Sequence, residues 1–177
     1  GALVHPAIHE IGLSLAIVFG IIALGKGILS HGYMAPALVG VLTLLQAYDI
    51  PLAGAELAII GRGNLVGRPL AMLLSQRGVD ATVTLLHSGS RDLTAATRRA
   101  DIVISAAGIS DLFTPDMVKP GAAVIGVGIS YVDGGMISDI AAGVTDVAGW
   151  ITPPHGSVGA LTRSMLLKNL LQAAARQ

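Results

Sequence analysis

The stretch IIGRGNLVGRPLAMLL, from Ile59 to Leu74, sets three glycines, Gly61, Gly63 and Gly67, between a short apolar run and an amphipathic helix pattern. A strand that turns on glycine into a helix gathers free N–H groups and the positive end of the helix dipole at one point. Bare backbone lets an anion come close. The chemistry this arrangement suits is the holding of a phosphate or pyrophosphate. The usual dinucleotide fingerprint is G-x-G-x-x-G, and here the third glycine falls one residue late, so a tight strand-to-helix turn without a ligand is the competing reading. The setting, after a strand pattern and before a helix pattern, is the one the fingerprint requires.

The end of the second strand separates two cofactors. An NAD-preferring site usually carries an acidic residue there to hold the ribose hydroxyls. In this chain the strand runs out into His87, Ser88, Ser90 and Arg91, and Arg62 stands inside the glycine turn itself. Hydroxyl donors and a guanidinium suit a 2'-phosphate, with which arginine pairs through charge-assisted hydrogen bonds. NADP is therefore favoured over NAD. Arg91 taken alone reads equally well as a solvated loop charge, whereas Arg62 lies in a turn that has little other reason to carry one.

Other chemistry finds less support. His5, His9, His31 and His155 do not form a metal-ligand spacing, and no metal is expected. His155 titrates near neutrality and could act as an acid or base, but no partner carboxylate is evident, and a loop-filling role competes. Lys26 sits in an apolar segment and reads as a snorkelling or capping lysine. No catalytic residue is assigned.

The elements that must position these residues follow from the apolar pattern. Pro36 opens a connecting helix through ALVGVLTLLQAYDI. AELAII is a short buried strand, and a helix from about Val66 to Arg77 follows the glycine turn and stops at Gly78. ATVTLL (81–86) is a second strand, HSGSRD a loop, LTAATRRA a brief helix and DIVISAAG another buried strand. Thr114 and Pro115 read as an N-cap and first helical residue of a short turn. AAVIGVGI (122–129) is a fourth continuous apolar strand. SYVDGGMISD carries a hairpin turn signal, GWIT is a last strand, and the chain closes with an amphipathic helix. Strands without alternation, interleaved with helices, predict an α/β fold: a Rossmann-like, doubly wound parallel sheet. It forms a single domain over 34–177, preceded by an apolar segment over 1–33.

Composition narrows the function classes. Eleven basic residues balance eleven acidic ones without a basic run, so the electrostatic footprint of nucleic-acid binding is missing. The absence of cysteine removes disulfides and thiolate metal sites and favours a reducing, cytoplasmic setting. Ile11 to Gly25 is an uncharged stretch of fifteen residues, short of the roughly 18 to 20 of a spanning helix. It is expected to be buried or interfacial, with a membrane anchor or an oligomer contact as the weaker reading. A chain starting at Gly1 reads as a fragment or a processed piece.

In order and spacing, IIGRGNLVGRPLAMLL, ATVTLLHSGSRDL, RADIVISAAG, DMVKPGAAVIGVGIS and ITPPHGSVGALTRSMLLKNLL resemble the NADP-binding domain of the bifunctional methylenetetrahydrofolate dehydrogenase/cyclohydrolase family. The resemblance runs from about Gly40 to Gln177, and the longer glycine spacing is that family's own variant. It implies cofactor contacts at Gly61, Arg62, Gly63 and Gly67, with Arg62 and Ser88 as ligands of the 2'-phosphate. It also implies contacts at Ala107, Gly108 and Ile129, and Thr162 near the nicotinamide; Arg91 remains a candidate from its charge alone. Family members exchange a hydride between 5,10-methylenetetrahydrofolate and NADP, then hydrolyse the methenyl product to 10-formyltetrahydrofolate. They are usually homodimers.

Departures from the family pattern are specific. Gly63 replaces a serine in the turn, Gly126 an aspartate, and Ser138 a glycine before Asp139, while His155 and Ser157 alter a proline- and glycine-rich loop. The family's catalytic lysine and its tyrosine partner belong to a preceding folate-binding domain that has no counterpart in 1–33. Two readings follow: the cofactor half of a folate oxidoreductase, or a non-catalytic dinucleotide-binding or interaction module that keeps the fold.

Overall fold

Each interior strand of the main sheet sends alternate residues into two separate apolar clusters, which is why its sequence shows no polar face. The computed structural model describes residues 36–132, 135–153 and 158–175. In β1 (Glu56–Ile60), Leu57 and Ile59 enter one cluster while Ala58 and Ile60 enter the other. β3 (Ile102–Ser105) and β4 (Ala123–Gly126) divide in the same way, with Ile102, Ile104 and Ile125 on one side and Val103 and Val124 on the other. Burying one such side chain contributes roughly 1.5–3 kcal/mol. Polar positions on these strands would forfeit that on whichever face they pointed.

With β2 (Thr82–Leu86) and β7 (Trp150–Ile151), these strands form a five-stranded sheet in the order β2-β1-β3-β4-β7. All its pairings are parallel. One face is covered by α1 (Pro36–Ala47), α2 (Gly67–Leu74) and the first turn of α4 (Val158–Ala174). The other is covered by α3 (Leu93–Arg99), the buried Phe113 and short 3-10 turns at Pro115–Met117 and Val144–Asp146. Helices α1 and α4 approach closely at Gly40, where an added Cβ would lie 3.3 Å from that of Leu161. The expected doubly wound α/β sheet is thus the one formed. The apolar segment 1–33 and His155 lie outside the described residues, as does the Gly1 end.

Several boundaries differ from expectation: α1 ends at Ala47 and not at Ile50, and the strand expected over DIVISAAG ends at Ser105. α2 ends at Leu74 instead of Arg77. The Ser75 hydroxyl donates to the Ala71 carbonyl at 2.8 Å, and Gly78 and Asp80 take left-handed φ of 93° and 58° to turn the chain into β2. The strand expected over 122–129 breaks after Gly126, because the amides of Val127 and Gly128 both donate to the Ser105 carbonyl (2.8 and 3.0 Å). Ile129 instead begins β5 (Ile129–Val132), which pairs antiparallel with β6 (Gly135–Ser138) as the expected hairpin. Thr114 does not cap a backbone amide; its hydroxyl bonds the Asp116 carboxylate.

At the sheet's N-terminal edge, Asp101 ties three segments together. Its carboxylate accepts from Lys119 Nζ at 2.6 Å and from the Glu56 amide at 3.0 Å. The Lys119 hydrogen bond, then that from Glu56, and lastly the lysine's charge hold the carboxyl below its usual range against the opposing effect of burial. A carboxyl lowered by folding contributes stability above its unfolded pKa of about 3.9, and the contribution is lost as pH falls through the folded value. Because both side chains of the pair are nearly half exposed, Asp101→Asn is expected to cost under about 1 kcal/mol at neutral pH. Urea denaturation should show the two proteins converging in acid. A difference that persists there would give Asp101 some role other than its charge.

Candidate cofactor site

The chain leaves β1 toward β2 on one side and returns through α3 to β3 on the other, so the winding reverses between the C-terminal ends of β1 and β3. Open α/β sheets bind ligands in that crevice. Gly61 occupies its rim with φ of 111°, a conformation that favours glycine. A Cβ on Gly61 would overlap the carbonyl of Ala106, so the two strand ends meet backbone to backbone. A Cβ on Gly67 would overlap the carbonyl of Gly61, which seats α2 directly on the turn. Gly63 faces open space, with nothing within 4 Å of an added Cβ.

The three glycines therefore do different things. In the shorter fingerprint the third glycine allows close helix–strand packing. Gly67 does this one residue later because the turn is wider, closed by the Arg68 amide donating to the Gly63 carbonyl at 3.1 Å. Val66, at the cap position, makes no side-chain cap; with the Arg68 amide on Gly63, the Leu70 amide on the Val66 carbonyl and Pro69 carrying no N–H, the Gly67 amide is the one in the first turn of α2 left open among the described residues.

The charged candidates fall along the same edge. Gly61 N donates to Leu86 O at 2.9 Å and Ile60 pairs with Leu86, so Arg62 and Ser88 each follow their strand pair by two residues on neighbouring strands. Arg62 is exposed, and its guanidinium makes no hydrogen bond or ion pair with a described residue. The loop after β2 sorts its four polar residues. His87 Nδ1 accepts from Gly89 N at 3.0 Å, and Ser90 Oγ accepts from His87 N at 3.0 Å. His87 and Ser90 are thus committed to the turn, while Ser88 and Arg91 remain exposed without such bonds.

Across the crevice, Ala107 and Gly108 follow β3 and Ile129 follows β4. The Ile129 carbonyl lies 3.8 Å from where a Gly108 Cβ would sit, and the Ile129 side chain is 44% exposed. Sequence reasoning missed the residue beneath them. Asp139 is wholly buried, and its Oδ2 accepts from Ser105 Oγ (3.0 Å), Ala107 N (2.8 Å) and Gly108 N (3.0 Å). The one signal was an aspartate where the hairpin returns, and sequence spacing does not connect it to a loop 31 residues upstream.

Thr162 does not join this group by any contact the structure gives. Its hydroxyl donates to the Val158 carbonyl at 2.8 Å within α4, and its backbone lies against Gly40. A cavity of about 530 Å³ opens at the opposite, N-terminal edge of the sheet. Its charged lining is Asp49 and Asp101, which would repel a phosphate, so the crevice with its unpaired arginine is the better anion site. Among the described residues no three His, Asp or Glu side chains gather as a metal set, and no helix is long and apolar enough to cross a membrane.

A doubly wound parallel sheet with a glycine turn at its switch point is the architecture of a dinucleotide-binding domain. Residues 35–177 match the family model described as tetrahydrofolate dehydrogenase/cyclohydrolase, NAD(P)-binding domain, and the chain belongs to that family. It is 40% identical to the bifunctional enzyme FolD, methylenetetrahydrofolate dehydrogenase/cyclohydrolase, of Campylobacter jejuni, covering 90% of this chain and 56% of that one with a TM-score of 0.79. For a 5,10-methylenetetrahydrofolate dehydrogenase of the silkworm Bombyx mori the identity is 38%, the coverage 81% and 52%, and the TM-score 0.77. For the Trypanosoma brucei dehydrogenase-cyclohydrolase, solved with NADP cofactor and an inhibitor, the values are 33%, 92% and 59%, and 0.76. The chain spans a little over half the length of these relatives.

Proposed function

We propose that this chain is the cofactor-holding part of an NADP-dependent methylenetetrahydrofolate dehydrogenase/cyclohydrolase. The observation that carries the reading is an uncommitted Arg62 guanidinium beside a crevice whose rim, Gly61 against Ala106, is bare backbone. The residues present fit the cofactor: Gly63 leaves open space, and Gly67 brings the start of α2, with its own amide open, onto the turn. In this proposal Gly61, Gly63 and Gly67 admit the pyrophosphate, Arg62 and Ser88 pair with the 2'-phosphate, and Arg91 adds positive charge nearby. Ala107, Gly108 and Ile129 form the wall for the other half of the dinucleotide, with Thr162 toward its nicotinamide. When bound, the nicotinamide supplies the hydride acceptor or donor for exchange with the folate. This chain's residues contribute by fixing its position, the effect that makes a bound reactant effectively concentrated.

Tetrahydrofolate derivatives as substrates, a homodimer and a cytoplasmic setting belong to the same proposal. The folate substrates are supported by the family, and the reducing setting by the absence of cysteine. The test is a titration with NADPH followed by fluorescence and by thermal unfolding. Saturable binding in the micromolar range or tighter is expected. At a hundredfold excess over Kd it should add about 2.7 kcal/mol of stability, raising Tm by roughly 2–4 °C for each kcal/mol. No saturable signal together with no thermal shift would remove the reading.

A second reading, a module that binds the dinucleotide without turnover, is favoured by Gly126, which leaves the end of β4 without the carboxylate of the family pattern. Production of NADPH from NADP and methylenetetrahydrofolate would reject it.

A further inference from the structure

We infer that the buried carboxylate of Asp139 is a positioning group that fixes one half of the cofactor crevice and leaves the other half untouched; the inference rests on the NADP reading above. The dinucleotide of that reading straddles the switch point, with its adenosine phosphate over the ends of β1 and β2 and its nicotinamide half over those of β3 and β4. Asp139 belongs wholly to the second half. Its Oδ2 holds the amides of Ala107 and Gly108 and the Ser105 hydroxyl, and its Oδ1 has no hydrogen-bond partner among the described residues.

The same carboxylate fills the space beside Gly128, where any Cβ would overlap it. Ser130, two residues on, donates from Oγ to the Gly108 carbonyl at 2.8 Å. Gly108 is therefore gripped at both its amide and its carbonyl, and the loops after β3 and β4 are fastened into one unit. Two consequences follow for a ligand. The Ala107 and Gly108 amides are already committed, so this wall meets the cofactor with backbone surface and not with free donors. The spacing between Gly108 and Ile129 is set by Asp139 and Ser130, since one carboxylate oxygen takes three donors from the loop after β3 and the serine hydroxyl holds the Gly108 carbonyl. No contact joins Asp139 to Arg62 or Ser88.

The test compares two ligands on the full chain: NADPH, which needs both halves, and adenosine 2',5'-bisphosphate, which needs only the first. Asp139→Ala is expected to weaken NADPH about tenfold or more, the scale of several hydrogen bonds lost at once, while the bisphosphate changes less than about twofold. Asp139→Asn should recover part of the NADPH affinity, because the amide oxygen can accept from the Ala107 and Gly108 amides in place of Oδ2, while its NH2 takes the buried Oδ1 position with no described acceptor. Should Asp139→Ala fail to fold, Ser130→Ala releases only the Gly108 carbonyl at a partly exposed position. It is expected to weaken NADPH about threefold, the scale of one neutral hydrogen bond, again sparing the bisphosphate. The inference is overturned if a folded Asp139→Ala binds NADPH like the wild type or loses both ligands equally, or if Ser130→Ala does either. A wild-type chain that binds neither ligand overturns the functional reading itself, and this is seen before any variant is made.

Discussion

Gly61→Ala is expected to destabilise the fold by about 2–6 kcal/mol. Holding a side-chain-bearing residue in an unfavourable left-handed conformation costs roughly 1–3 kcal/mol, and Gly61 has φ of 111°. Forcing a methyl group against packed backbone costs roughly 1–3 kcal/mol more, and here the obstacle is the Ala106 carbonyl, which cannot rotate away as a side chain would. That is a large share of the 5–15 kcal/mol typical of a domain. Urea unfolding measures it as a lower midpoint with an unchanged slope. Gly63→Ala is the comparison, since Gly63 has open space and no positive φ, and a change within about 0.5 kcal/mol is expected. Equal effects at the two positions would mean that the strand ends are not in fixed contact.

Arg62→Ala should weaken NADP binding by roughly 1.5–3 kcal/mol, from about tenfold to a little over a hundredfold. NAD, which lacks the 2'-phosphate, should be affected far less. The guanidinium has no described partner within the chain, so its removal should leave thermal stability within about 0.5 kcal/mol of the wild type. The loss separates from a folding defect on that ground. It should also shrink as salt rises, because an exposed charge is screened. Calorimetric titration of both cofactors measures the difference, and equal losses would place the 2'-phosphate elsewhere.

What the sequence disclosed, and what it hid, divides along a physical line. The parallel sheet was legible because Ile102 to Ile104 and Ala123 to Ile125 are buried on both faces, and burial on both faces erases alternation. The hairpin was legible from its Asp-Gly-Gly signal, and the glycine turn from its place between a strand and a helix. The break after Gly126 was not, because it depends on the Ser105 carbonyl receiving two amides from another strand's exit. Asp139 was hidden for the same reason: its partners are distant in sequence and are mostly main-chain groups, which leave no trace in residue type. Even within one loop, the commitment of the His87 ring to the Gly89 amide and of the Ser90 hydroxyl to the His87 amide could not be told from the freedom of Ser88, since all three carry polar groups. Residue type reports where apolar surface must go far better than it reports which polar atom has already found a partner.

The abutment of Gly61 on Ala106 has a bearing on how this crevice can diversify. A floor made of two main chains in van der Waals contact has no side chains to trim or enlarge, so its width is not open to adjustment by single substitutions. Ligand preference must then be retuned from the flanks, at solvent-facing positions such as Arg62, Ser88 and Ile129, where exchanges leave the floor unmoved.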